Sequence, residues 1–354
     1  MNESLPEISP VLIVGTGLIG ASIGCALRAK DIVVYLSDLN PQNAQLASTR
    51  GAGLVEAPNP EDIKLVVVAT PPADIVEQVK AALITYPNAA VTDTGSIKTA
   101  IARQLVGAEH LERYVGSHPM AGSAHSGPKT AGPELFADRI WVVTPSYDNP
   151  DWVVRRVLKL GQSAGARTIV RDVEQHDRAV AEISHLPQLM SSLTAAQLTN
   201  VPVEDLQLAG QGVRDVTRIA ASDSAMWRQI VDANKELIRA QLINVRRDLE
   251  KLINNLDDPQ AITQFLEKGR AGRGRLPSRA GKDPSELVSI TAEVPDKPGA
   301  LARLFDLVDE AGVNIEDVSI EHDPTRSIGY LQIQVSVTQA DQLRDALKGW
   351  TRNE

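Results

Sequence analysis

The residues of this chain most open to chemistry are two histidines, a serine and an arginine, each in an unusual local context. His118 follows Gly116 and Ser117 at the end of an expected strand and opens a loop rich in Gly and Ser. Core packing explains a histidine there poorly, and an imidazole of ordinary pKa, about 6.5, exchanges protons near neutral pH. His185 lies in Ile183-Ser184-His185-Leu186-Pro187, an apolar helical stretch. Pro187 removes a backbone donor, so a kink is expected beside that imidazole. Ser96 stands in Asp93-Thr94-Gly95-Ser96-Ile97-Lys98, where a hydroxyl at an expected helix start reads first as an N-cap and second as a ligand contact. Arg218 ends the run that begins Gly210-Gln211-Gly212. A loop with surface ion pairs is the plain reading of that run. His176 and Arg214 read as supporting residues.

A second group is built to hold a dinucleotide. An apolar run, Val11–Val14, leads into Gly15-Thr16-Gly17-Leu18-Ile19-Gly20 and a helical pattern follows. Gly15 suits a tight turn, Gly17 a close approach of backbone to pyrophosphate, and Gly20 close packing of helix on strand. The helix N-terminus then offers free N–H groups and a favourable dipole to phosphate. The next apolar run ends at Asp38, where an acid accepts from ribose hydroxyls and repels a 2′-phosphate. This favours NAD over NADP, although Asp38 also fits as a helix cap.

These groups need a scaffold. Up to residue 172, apolar runs at Val11–Val14, Ile32–Ser37, Leu65–Ala69, Ala89–Thr92, Tyr114–Ser117, Ile140–Thr144 and Arg167–Val170 alternate with helical patterns. That arrangement predicts a parallel sheet covered on both faces, a Rossmann-type α/β domain over 1–172. Residues 173–267 carry helical patterns and almost no strand signal, so an all-α dimerisation domain is expected, with one long helix from Ser224 to about Leu256. The Gly- and Arg-rich stretch 268–284 reads as a linker. Residues 285–354 follow a βαββα pattern, a small α+β domain.

Composition narrows the function classes. The net charge of −9 argues against broad contact with nucleic acid, which needs clustered Lys and Arg. Cys25 is the one cysteine, so no internal disulfide forms, and its apolar neighbours predict a buried thiol. Neither a secretory signal nor a membrane span is legible, so a soluble, cytoplasmic protein is expected. No metal site is expected.

Taken together, GTGLIGAS, TDTGSIK, GSHPMAGSAHSGP, EQHDRAVAEISHLP and GQGVRDVTRIAASDSAMW, in that order, resemble the prephenate/arogenate dehydrogenase family. The resemblance implies an oxidative decarboxylation. Hydride leaves C4 of a cyclohexadienol for the nicotinamide, the ring carboxylate departs as CO2, and aromatisation drives the step. The substrate would be prephenate, giving 4-hydroxyphenylpyruvate, or arogenate, giving tyrosine directly. On this analogy His118 accepts the proton of the C4 hydroxyl, and Ser96 helps hold that hydroxyl. Arg218 clamps a substrate carboxylate, and His185 and Ser117 join the substrate pocket. The family motif often reads SHLPH; this chain has Gln188 in the last place. A different Rossmann enzyme, acting on a 3-hydroxy acid, would call for a catalytic lysine on the helical block, a role no motif gives to Lys235. A non-catalytic NAD- and amino-acid-binding regulator is a third reading.

The tail has its own resemblance. Val294-Pro295-Asp296-Lys297-Pro298-Gly299-Ala300-Leu301, with Gly312-Val313-Asn314-Ile315, looks like an ACT domain. Such modules bind amino acids, which here implies tyrosine as feedback ligand, with Gly299 and Asn314 at its site; a structural or dimerising appendage without ligand is the alternative. The usual last strand is missing from the pattern, which leaves the first strand as an expected open edge.

Overall fold

A computed structural model describes residues 7–121, 127–276, 286–323 and 326–350. Gly122 and Ser123 of the histidine motif and the last part of the expected linker, 277–284, lie outside them. The chain divides into two compact units, residues 1–248 and 249–354.

The first unit begins with β1 (Val11–Val14), α1 (Leu18–Arg28), β2 (Val34–Ser37), α2 (Pro41–Thr49), β3 (Leu65–Val68), α3 (Ile75–Thr85), β4 (Ala90–Asp93) and α4 (Thr99–Leu105). The four strands pair in parallel in the order β2-β1-β3-β4. Alternate residues of each strand face opposite sides, and both sides are buried. Val11, Ile13 and Val67 pack in a cluster with Ala21, Ile23 and Leu27 of α1. Leu12, Val66 and Val68 pack with Val76, Val79 and Leu83 of α3. This is why the strands read as unbroken apolar runs.

A second sheet, of order β5-β6-β7, comes from β5 (Gly116–Pro119), β6 (Ile140–Thr144), α5 (Asp151–Ser163) and β7 (Arg167–Val170). An isolated parallel bridge from Val91 of β4 to Tyr114, two residues before β5, brings the two sheets side by side. The expectation of an all-parallel sheet fails here, because β5 and β6 are antiparallel. No α-helix lies between them among the described residues, and a parallel pairing needs such a crossover. The strand also runs on to Pro119, so His118 lies within it.

Helices follow: α6 (Val173–Val180), a π-helical turn (Ala181–His185), α7 (Leu186–Gln197), α8 (Val203–Leu206), α9 (Gln211–Thr217), a 3-10 turn (Arg218–Ala221) and α10 (Ser224–Ala233). The kink expected at Pro187 takes the form of that π turn, in which Leu186 N–H donates to Ala181 O, five residues back. Pro187 has no N–H to continue the ordinary ladder. Arg214 and Arg218 are on helical turns, not on a loop. The single long helix expected from Ser224 is broken at Asn234, and α11 (Lys235–Asn254) starts beyond it.

In the second unit, α12 (Pro259–Gly274) carries the first residues of the expected linker, 268–274, in helical form. An ion pair between Arg270 and Glu267, 2.9 Å, supports that turn. Then come β8 (Leu287–Pro295), α13 (Ala300–Glu310), β9 (Asp317–Asp323), β10 (Ile328–Ser336) and α14 (Ala340–Trp350). The antiparallel sheet has the order β8-β10-β9. Leu304, Val308 and Leu343 from the helices pack on Val294, Leu331 and Ile333. Among the described strands, β8 is an edge, as the pattern predicts. No helix among the described residues is long and apolar enough to cross a membrane.

Candidate active site

The glycine turn lies at the carboxyl end of β1, where such sheets place their ligands. Gly15 has φ +94, and a Cβ there would lie 2.5 Å from Ala69 O. At Gly20 a Cβ would lie 1.9 Å from Gly15 O, so α1 can approach the turn only as glycine. Gly17, by contrast, faces open space. It is the N-cap of α1 and makes no side-chain cap, so the N–H groups of Leu18 and Ile19 stay available to an anion. Asp38 follows β2, and its Oδ2 accepts from Thr16 N at 2.7 Å and Thr16 Oγ1 at 2.8 Å. Burial works to raise its pKa, but hydrogen bonds from Thr16 and Asn40 prevail and hold it below the ordinary carboxylate value. A bare backbone cradle with an ionised acid beside it fits a dinucleotide.

The second cluster joins β4, α4, β5 and α6. His118 Nδ1 lies 3.0 Å from His176 Nε2, and His176 Nδ1 lies 2.8 Å from Asp177 Oδ1. Asp177 also accepts from Lys98 N at 2.9 Å and Thr99 N at 2.7 Å. Burial would raise its pKa, yet its hydrogen bonds from His176, Lys98 and Thr99 hold it low. An ionised carboxylate can only accept, so His176 carries its proton on Nδ1 and accepts on Nε2. His118 therefore donates from Nδ1, which leaves its Nε2 bare. The chain of three residues has one polarity. Burial, then the nearby His176 and Lys98, holds the His118 pKa well below its ordinary value, with Asp177 opposing.

Beneath this cluster, Lys98 and Asp93 form a buried ion pair. Lys98 Nζ also donates to Ser117 O at 2.7 Å, and Tyr114 OH donates to Asp93 Oδ1 at 2.7 Å. Through Lys98 the pair ties β4 to β5 next to His118 in the chain. Removing one member would leave a buried charge alone, at a cost of about 3–5 kcal/mol.

Ser96 lies outside α4, which starts at Thr99. Asp177 from α6 caps that helix instead, and the Ser96 hydroxyl has no partner among the described residues. Ser117 corrects the expectation of a substrate contact: it is fully buried, donates to Asp93 O at 2.8 Å and accepts from Thr92 Oγ1 at 3.0 Å. Strand alternation turns it away from the face that His118 presents. His185 is 1 % exposed, and its Nδ1 lies 3.2 Å from Asn234 Nδ2. Arg218 is exposed and makes no hydrogen bond or ion pair among the described residues, so none of these joins it to His118. Gln188 donates to Ile219 O at 2.9 Å and so anchors the turn that bears Arg218. A cavity of about 450 Å3 adjoins it, lined by Gln188, Ser192, Ser222, Trp227, Arg228 and Lys235. Lys235 itself pairs with Asp232 at 3.6 Å. Cys25 is buried as expected. In the second unit, Gly299 has φ +81 and opens α13, and Asn314 donates to Glu316 at 2.8 Å.

Sequence reasoning left Asp177, Asn234, Lys98 and Tyr114 without a role. The motifs around His176 and Ser96 contained Asp177 and Lys98, but nothing in their spacing shows which partner each would reach. Asn234 left one trace, as a poor helix former inside a long helical pattern.

Three family models match the chain: the nucleotide-binding domain of prephenate dehydrogenase over residues 23–170, its dimerization domain over 172–268, and an ACT domain over 288–348. A protein of Streptomyces niveus named probable prephenate dehydrogenase NovF is 33% identical over 95% of this chain and 97% of its own. The prephenate dehydrogenase of Lactococcus lactis is 29% identical over 95% of this chain and 96% of its own. Among solved structures, the A. aeolicus prephenate dehydrogenase in complex with hydroxyphenyl propionate and NAD+ has 27% identity and a TM-score of 0.68. That match covers 77% of this chain and 99% of that one.

Proposed function

The chain belongs to the prephenate dehydrogenase family of NAD-dependent oxidoreductases, and from that premise we propose that it converts prephenate to 4-hydroxyphenylpyruvate in tyrosine biosynthesis. The observation that carries the proposal is the hydrogen-bonded series His118–His176–Asp177, which leaves a bare, neutral imidazole nitrogen beside the carboxyl edge of the sheet. Bound NAD supplies the hydride acceptor.

The chain's own residues do the rest. His118 Nε2 accepts the C4 hydroxyl proton as the C4–H electron pair departs. Its low pKa keeps it ready for that proton near pH 7. The imidazolium that forms is stabilised through His176 by the Asp177 carboxylate, so positive charge develops where a negative charge already waits. Ser96, with a free hydroxyl, holds the same substrate oxygen. Arg218 clamps a substrate carboxylate, and the departing ring carboxylate leaves as CO2 while its bonding electrons complete the aromatic ring.

Two copies make the working enzyme. Large apolar side chains of the helical block stay exposed, among them Ile183, Leu193, Ile243 and Ile253. Such faces suit the homodimer that the dimerization-domain match describes. The ACT unit binds tyrosine at Gly299 and Asn314 as a feedback ligand.

The experiment is His118→Asn, followed by NADH formation from prephenate. Turnover should fall about 10²- to 10⁴-fold with NAD affinity near normal. Unchanged turnover would reject His118 as the base.

A further inference from the structure

We infer that Asn234 and the carbonyl of Asp177 fix His185 as an Nε2–H donor to the side chain of the substrate, so that the site takes a 2-keto acid in preference to the matching 2-amino acid. The inference rests on the proposed reaction for its substrate, but the polarity of His185 stands on geometry alone.

Asn234 sits at the break between α10 and α11, buried, with its Nδ2 placed between two acceptors. One is Asp177 O at 2.9 Å, the other His185 Nδ1 at 3.2 Å. A carbonyl can only accept, so the Asn234 amide must turn its NH2 toward Asp177 O. The second hydrogen of that NH2 then points at His185 Nδ1, which must be bare. The His185 proton is on Nε2, and that nitrogen has no hydrogen-bond partner among the described residues. Burial also holds its pKa near 4, so the ring stays neutral. Asp177 thus sets two imidazoles in opposite senses. Its carboxylate, through His176, makes His118 an acceptor; its carbonyl, through Asn234, makes His185 a donor.

The π turn gives the two ends their spacing. His176 and His185 are separated by about nine residues, which at about 100° each would put them on opposite faces of an ordinary helix. The π turn absorbs one residue and brings them to within about 80° of each other. Their backbones remain on the order of 10 Å apart along the rod. His118, hydrogen-bonded to His176, meets the ring hydroxyl, while His185, about two turns further along the rod than His176, meets the far end of the substrate. At that end, prephenate offers a carbonyl oxygen and arogenate an ammonium. An N–H faces the first favourably and the second as donor against donor, leaving a buried donor unpaired.

The test uses the full-length enzyme labelled with 15N-histidine, with the His185 signals assigned by their loss in His185→Gln. The expected spectrum shows His185 with bare Nδ1 and protonated Nε2, and Asn234→Leu shows a mixture of the two tautomers. In parallel, kcat/KM is measured with prephenate and with arogenate. The wild-type preference for prephenate should be at least about tenfold and should shrink by about tenfold in Asn234→Leu. A protonated Nδ1 in the wild type, or a preference that Asn234→Leu leaves intact, overturns the inference. A folded enzyme inert toward both compounds overturns the substrate class along with the proposed reaction, and the tautomer separates that failure from a wrong polarity at His185.

Discussion

Replacing Asp177 by Asn keeps the shape of the side chain and removes its charge. The carboxylate accepts from three donors, at 2.7, 2.8 and 2.9 Å. Asn brings one acceptor oxygen and one NH2, so at least one of those donors must face another donor. If the oxygen stays with His176 and Lys98 N, the cap on Thr99 is lost. If it turns to Thr99, His176 loses its acceptor, its tautomer reverses, and His118 ends with its proton on the wrong nitrogen. Either way, the charge that balances the imidazolium is gone. A hydrogen bond to a charged group is worth about 1.5–3 kcal/mol, so losing one from the transition state lowers kcat about 10- to 150-fold. NAD affinity should stay near normal, because the glycine turn uses none of these groups. The assay is steady-state NADH formation, with urea unfolding as a check that the variant is folded. A folded Asp177→Asn enzyme whose kcat stays within about threefold of wild type would refute the relay.

Arg218→Ala should weaken substrate binding by about 1.5–3 kcal/mol, read as a higher KM for prephenate; an unaltered KM would move the carboxylate clamp elsewhere. The depressed His185 pKa ties stability to pH. The unfolded imidazole takes a proton below about 6.5 and the folded one only near 4, so its contribution is complete above 6.5 and lost as pH falls through that window, by about 3 kcal/mol in total. Urea midpoints at pH 7 and 4.5 should show a steeper loss for wild type than for His185→Gln, and parallel losses would contradict the assignment. Deleting residues 285–354 should abolish inhibition by tyrosine while leaving turnover; inhibition that survives would put the effector in the active site.

Much of this protein was legible in its residues because the relevant signals are local. Period-two and period-3.6 patterning marks strands and helices, and Gly15, Gly17 and Gly20 mark a turn whose backbone must approach phosphate. The open β8 edge also follows from element order alone. The antiparallel β5–β6 pair was not legible, since it depends on what the connecting segment does in space. The same holds for Ser117 and His118: neighbours in the chain, they face opposite sides of a strand whose end lay two residues further on than its pattern indicated. Residue types placed an imidazole near a nicotinamide site, but proton positions are pairwise facts. That Asp177 orients His118 through one of its oxygens and His185 through another required β5, α6 and the break at Asn234 to be in contact. Hydrogen bonds of this kind act over about 3 Å between residues 49 to 79 positions apart, and no spacing along a sequence encodes such a meeting.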